Sequence, residues 1–241
     1  MGMNKVKQGS NMYQFLNDNG NRGYTWNVIK GKCPHNCSYC YMNRYPQSEL
    51  HFDEKELKTN LGSGNFIFVG SSCDMWADGI DAFWLDSIMK HCCEYQNEYL
   101  FQSKNPMRFV SYQYAHPIKA IYGVTIESNR YYPDISKAPS PEERYEAMLL
   151  LNHPKMVSIE PIMDFDPYIL GGWLRNLMPN FVSIGADSGN NHLPEPSSAK
   201  IKAFIEAIKD VTEVKLKNNL GRLLRPSQRG ETLCWVDKGL L

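Results

Sequence analysis

The segment Tyr24-Thr25-Trp26-Asn27-Val28-Ile29 leads shortly into Cys33-Pro34-His35-Asn36-Cys37-Ser38-Tyr39-Cys40. The first part, rich in β-branched and aromatic residues, reads as a strand. The second spaces three cysteines as C-x3-C-x2-C, with an aromatic residue just before the third. Three thiolates on one short loop can hold three corners of a [4Fe–4S] cube and leave the fourth iron without a protein ligand. An open coordination position is where a metal does chemistry instead of only holding structure. The other reading of the loop is a structural zinc site, made by the three cysteines with His35 or a distant fourth ligand. Zinc knuckles usually pair C-x2-C units, and no second pair follows here.

Outward from this loop the chain alternates. Short apolar runs at 66–69, 99–101, 121–126, 156–159 and 181–184 have the β-branched and aromatic content of buried strands. Helical patterns lie between them at 80–93, 141–151, 165–178 and 198–211, the second opening with Pro141-Glu142-Glu143 after Ser140. Buried strands alternating with helices predict a parallel sheet with βαβ crossovers. The expected fold class is α/β, a partial (β/α)6 TIM-type barrel. Residues 24–212 form its core, and extensions at 1–23 and 213–241 cover its mouth.

In such folds the chemistry sits at the C-terminal strand ends. Each predicted strand here ends in polar or charged residues. The first ends in the cysteines, the second in Ser71-Ser72-Cys73-Asp74, and the third in Gln102-Ser103-Lys104. Glu127-Ser128-Asn129, Glu160-Pro161 and Gly185-Ala186-Asp187-Ser188-Gly189 follow the others.

At 241 residues, 42% of them hydrophobic, the chain can bury one large core. The 26 basic residues balance 26 acidic ones, so no global field draws it to nucleic acid or membrane. Charge is uneven all the same. Lys5, Lys7, Arg22, Lys30 and Lys32 face only Asp18 near the start, and Lys215, Lys217, Arg222, Arg225 and Arg229 face only Glu213 near the end. No apolar stretch nears the ~20 residues that span a bilayer, and residues 1–9 lack the apolar core of a signal peptide. The expected location is cytoplasmic. Seven cysteines, an odd number, do not suggest a disulfide scaffold. Cys92 and Cys93 read as packing residues on a helix, Cys234 joins no second ligand run, and Trp76, Phe83 and Trp84 read as core.

The cysteine loop resembles that of the radical S-adenosylmethionine (SAM) superfamily. The set FVGSSCD, QSKNPMRF, YGVTIESN, VSIEPI and SIGADSG is similar to a phage-associated branch of it, over roughly residues 24–190. The resemblance implies a [4Fe–4S] cluster on Cys33, Cys37 and Cys40 and SAM as the second cofactor. Tyr39 would lie by the cluster and the adenine. Ser71, Ser72 and Asp74 stand where the superfamily often has a Gly-Gly-Glu segment that holds the SAM amine, and this chain departs from that segment. Lys104 would meet the SAM carboxylate, Glu127 and Ser128 the ribose, and the 185–188 loop with Asp187 and Ser188 the adenine. Glu160 is a further strand-end candidate for a ligand contact, and Cys73 for a hydrogen-atom donor. The implied reaction is reductive SAM cleavage to a 5′-deoxyadenosyl radical that abstracts hydrogen from a substrate. Its electron would come from an external donor of flavodoxin or ferredoxin type. The basic tail, with Tyr112, Tyr114, Tyr131 and Tyr132, suggests a nucleotide or nucleic-acid substrate. Two alternatives are an activase that places a glycyl radical on a partner protein, and a non-catalytic iron–sulfur or zinc protein that binds nucleic acid.

Overall fold

Strands form where the sequence is apolar on successive residues, as expected for strands buried on both faces. The computed structural model describes residues 2–7, 16, 22–112 and 114–225. In chain order its strands are β1 (Asn4–Lys5), β2 (Arg22–Trp26), β3 (Ile29–Lys30), β4 (His51–Phe52), β5 (Asn65–Val69), β6 (Glu98–Ser103), β7 (Ala120–Thr125), β8 (Lys155–Ile159), β9 (Phe181–Ile184) and β10 (Glu213–Leu216). Its α-helices are α1 (Ala82–Cys93), α2 (Met107–Ser111), α3 (Pro141–Leu150), α4 (Pro167–Leu177), α5 (Ser198–Ile208) and α6 (Gly221–Leu224).

Eight strands make one sheet in the order β1-β2-β5-β6-β7-β8-β9-β10. Within this sheet β1 joins β2 antiparallel and the remaining ladders are parallel. The registers pair Trp26 with Val69, Val69 with Phe101, Thr125 with Ser158 and Ile159 with Ile184, which sets the C-terminal strand ends along one edge. Among the described residues no ladder joins β10 back to β1 or β2, so the sheet is open. The parallel strands include β10, at residues whose sequence reads as the start of a C-terminal extension. Arg229 and Cys234, with most of residues 1–23, lie outside the described residues.

Strand side chains alternate between the two faces. Ile67, Val69, Tyr99, Phe101, Tyr122, Val124, Val157, Ile159, Val182 and Ile184 share a core with Leu85, Ile88, Met148, Leu170, Leu174, Ile201 and Phe204 of the helices. Phe66, Phe68, Leu100, Met156 and Phe181 pack instead with Val6 and Leu16. Further along the strands this second face turns polar, at Gln102, Thr125, Ser158 and Ser183. Helices cover one face, and the other carries a polar upper end.

The helix starts follow from their caps. Asp81 accepts from Phe83 N, Asp166 from Tyr168 N and Ile169 N, and Ser197 from Lys200 N, while Ser140 and Glu143 form a reciprocal capping box before α3. Each cap contributes about 1 kcal/mol. Trp76 is fully buried among Phe101, Phe109, Tyr112 and Tyr122. Phe83 departs from its expected core place: it sits in the first turn of α1 with 69% of its surface exposed, and Trp84 beside it stacks on Phe52 at 5.5 Å. Cys92 is buried, whereas Cys93 turns outward, one helical step of about 100° away. No helix among the described residues is long and apolar enough to cross a membrane.

Candidate active site

The loop after β2 is shaped by two consecutive turns. Asn36 N–H donates to Cys33 O at 3.1 Å and Cys40 N–H to Cys37 O at 3.1 Å. Asn36 takes the left-handed backbone (φ 45°), which asparagine tolerates better than most residues. Below the loop, β3 and β4 pair as a short antiparallel ribbon, and Gly31 passes so close to the chain that a Cβ there would lie 2.3 Å from Glu49 O. The loop is thereby pinned at its base while its thiols face inward. Cys33, Cys37 and Cys40 all line one cavity of about 400 Å³ at the polar end of the sheet.

The strand ends named from sequence converge on that cavity. Tyr39, Ser71, Ser72, Cys73, Asp74, Lys104, Glu160, Asp187 and Ser188 line it together with the cysteines. Asp74 is its most connected acid. Its Oδ2 accepts from His35 Nε2 at 2.8 Å, Ser103 Oγ at 2.9 Å and Lys104 N at 2.8 Å, and Oδ1 accepts from Trp76 N at 2.9 Å. Burial pushes its carboxyl up, but His35 and the two backbone N–H groups outweigh this and hold it below the usual range. His35 is thus a loop hydrogen-bonder that ties the cysteine loop to the ends of β5 and β6.

Cys73 lies beside Cys33. Their mutual hydrogen bond lowers the Cys33 thiol and, with burial, raises that of Cys73. Burial also raises Cys40. Among the described residues no three His, Cys, Asp or Glu side chains converge as they would on a single metal ion.

Glu127 and Ser128 do not line the cavity. Glu127 lies behind its wall and is only 2% exposed. It pairs with Lys104, accepts from Tyr39 Oη, and takes Arg144 Nη1 on Oε2 at 2.7 Å. Burial favours its neutral form, but the two cations win and hold its carboxyl far below the ordinary range. Tyr39 Oη also receives Lys104 Nζ, and burial raises its phenol well above the usual value. Ser128 closes a turn: its hydroxyl donates to Asp164 O at 2.7 Å and accepts Arg130 N at 2.9 Å. Neither side chain reaches the cavity as the expected ribose contacts would require: Glu127 holds Lys104 and Tyr39 of its wall from behind, and Ser128 turns to Asp164 and Arg130.

On the opposite wall, Glu160 pairs with Lys217 and accepts from Asn219 Nδ2 at 3.1 Å. Asp187 accepts Gly189 N at 2.9 Å and Asn191 Nδ2 at 2.6 Å. Burial raises its carboxyl and these donors lower it by more. Arg44 reaches across to Ser188 O at 2.9 Å, joining the cysteine loop to this wall.

The described part of the basic tail is engaged internally: Lys215 sits over the Phe181 ring, Lys217 meets Glu160, and Arg222 pairs with Glu195. Sequence reasoning missed Arg144, Lys217 and Asn219. For Arg144 a signal existed, since it occupies the apolar face of α3 with Pro141, Ala147 and Met148. Lys217 and Asn219 follow a strand too short and polar to be recognised alone.

No family model matches the sequence, and no curated protein does. Among solved structures, Streptococcus suis SuiB bound to S-adenosylmethionine aligns over 80% of this chain and 50% of its own, at a TM-score of 0.54 and 6% identity. A mutant of spore photoproduct lyase with dinucleoside spore photoproduct aligns over 78% of this chain and 61% of its own, at 0.51 and 13% identity. The likeness is one of fold. The chain spans about half to three-fifths of the length of these structures.

Proposed function

We propose that the chain is a radical SAM enzyme, with Cys33, Cys37 and Cys40 holding a [4Fe–4S] cluster and SAM beside it in the same cavity. The observation that carries the reading is that three thiols of one loop open onto a cavity of about 400 Å³, a size suited to a small-molecule cofactor. A structural zinc site is closed and draws its sulfurs to one point about 2.3 Å away. A cube spreads its irons, one to each thiolate, so its ligands need not converge, and these thiols do not. The superfamily membership of the two structural neighbours supports the same reading. In it the open sheet is the partial (β/α)6 barrel.

When bound, the cluster and SAM supply one-electron cleavage to a 5′-deoxyadenosyl radical. The chain's own residues do the rest. Tyr39, on the cysteine loop itself and held by Lys104 and Glu127, would stand by the cluster and the adenine. Lys104 would offer a cation to the SAM carboxylate, and Ser71, Ser72 and Asp74 would hold its amine. Glu160, Asp187 and Ser188 form the opposite wall, for the nucleoside. Glu127 and Ser128 serve from behind, Glu127 by fixing Lys104 and Tyr39. Cys73 lines the same cavity and would be placed to give a hydrogen atom to a substrate radical. The electron comes from a low-potential protein of flavodoxin or ferredoxin type.

The substrate in this reading is a nucleotide or nucleic acid, supported by the dinucleoside that the spore photoproduct lyase structure contains. The second reading is a structural zinc site on the cysteine loop, for which Cys73, beside Cys33, is a candidate fourth thiolate although the four sulfurs do not converge on one point here. Anaerobic reconstitution with iron and sulfide, then dithionite and SAM, separates the two. Formation of 5′-deoxyadenosine is expected, and zinc content without SAM cleavage would overturn the enzyme reading.

A further inference from the structure

Ser136 lies 99 residues along the chain from Cys37, in the connection between β7 and α3, yet its Oγ is 3.2 Å from the Cys37 sulfur. Backbone hydrogen bonds on both sides fix it there. Ser38 N–H donates to Ile135 O at 2.9 Å, and Lys137 N–H donates to His35 O at 2.8 Å. The connection is therefore laced to the cysteine loop immediately before and after Ser136, which holds its Cβ within hydroxyl reach of the sulfur.

A serine hydroxyl carries one proton and two acceptor sites. Ala138 N–H occupies an acceptor site at 3.1 Å. The proton has two possible acceptors, Cys37 Sγ and His35 O at 3.4 Å, and His35 O is already served by Lys137. While Cys37 is a thiol, either partner of the short contact can donate. Once it is a metal-bound thiolate it has no proton, and only Ser136 can. Cys37 is 8% exposed, so little water competes for that role.

We infer that Ser136 is a positioning residue for Cys37, donating a hydrogen bond to its ligating sulfur and thereby raising the reduction potential of the cluster held there. The inference rests on the proposed function. Hydrogen bonds to cluster sulfurs withdraw electron density and favour the more negative, reduced form, and they are a main determinant of iron–sulfur potentials. Outer partners of this kind are also worth roughly 10- to 100-fold in metal retention.

The test uses the reconstituted full chain and its Ser136→Ala, Ser136→Thr and Ser136→Val variants. Reduction potentials are read by EPR-monitored redox titration without SAM, and cluster loss is followed by absorbance against an iron chelator. Ser136→Ala is expected to move the potential to a more negative value and to speed cluster loss about 10-fold. Thr and Val share a shape and differ in the hydroxyl, so Thr should match the wild type and Val should match Ala. This pair keeps the test sound if Ala perturbs folding. Equal potentials in the Thr and Val variants would overturn the inference and leave the enzyme reading intact. A wild-type chain that takes up no iron–sulfur cluster overturns the reading beneath it.

Discussion

Arg144 Nη1 donates to Glu127 Oε2 at 2.7 Å, and both side chains are almost wholly buried. This pair sits behind the cavity and connects α3, through Glu127, to Lys104 and Tyr39 on its wall. Removing Arg144 leaves the Glu127 charge offset by Lys104 but takes the charged donor from its buried Oε2, at a cost of about 1.5–3 kcal/mol. Arg144→Met is expected to lose about that much stability in urea unfolding. A loss below ~1 kcal/mol would show that Glu127 is held without Arg144.

The same carboxylate gives a pH signature. Its folded-state pKa is depressed, so the folded chain binds fewer protons than the unfolded chain near the ordinary Glu value of ~4.3. The contribution is therefore fully present above that value and is lost as pH falls through the folded one. Urea unfolding from pH 6 to pH 3 should show a smaller acid loss in Glu127→Gln than in the wild type. Parallel curves would contradict the assignment.

Replacing Cys33, Cys37 or Cys40 by Ala should abolish both cluster absorbance and 5′-deoxyadenosine formation. Cys73→Ala should retain iron and SAM cleavage and alter only the fate of the substrate. Loss of metal from Cys73→Ala would favour the four-thiolate site instead.

On the far wall, Glu160→Gln should weaken SAM binding by roughly 10- to 100-fold, since a charged hydrogen bond is worth about 1.5–3 kcal/mol. Isothermal titration against the cluster-loaded protein measures it, and an unchanged affinity would remove Glu160 from the cofactor site.

Two aromatic residues near one another in sequence should behave oppositely. Trp76→Ala is expected to cost about 3–5 kcal/mol as a core truncation. Phe83→Ala, at an exposed position, should stay within about 0.5 kcal/mol of wild type.

The contrast between Trp76 and Phe83 also shows what could be read without a structure. The strands from 66 to 184 were legible because parallel strands buried on both faces leave continuous apolar runs. Helices α1, α3, α4 and α5 were legible from periodicity and from caps such as Ser140 and Asp166. β10, with Lys215 and Lys217 in its neighbourhood, looked like a charged tail because an edge strand needs no such run. Phe83 satisfied the helical spacing, but spacing alone does not say which side of the first turn meets solvent. At the site, the strand-end rule located the cavity's residues, and placed Glu127 and Ser128 one layer too far forward. Strand-end position gives a height on the sheet, not which side chains turn into the cavity. Arg144, Lys217 and Ser136 depend on contacts made far along the chain, and no local pattern encodes those.

Lys217 closes the wall opposite a loop that begins at Cys33. On a ribosome adding about 5–20 residues per second, the thiols emerge roughly ten to forty seconds before their facing wall exists. Throughout that interval they are bare nucleophiles on an unfinished chain, open to oxidants and stray metals. In the proposed reading, assembly of the metal centre would then be best timed after the last strand docks, with the three cysteines kept reduced and unclaimed until then.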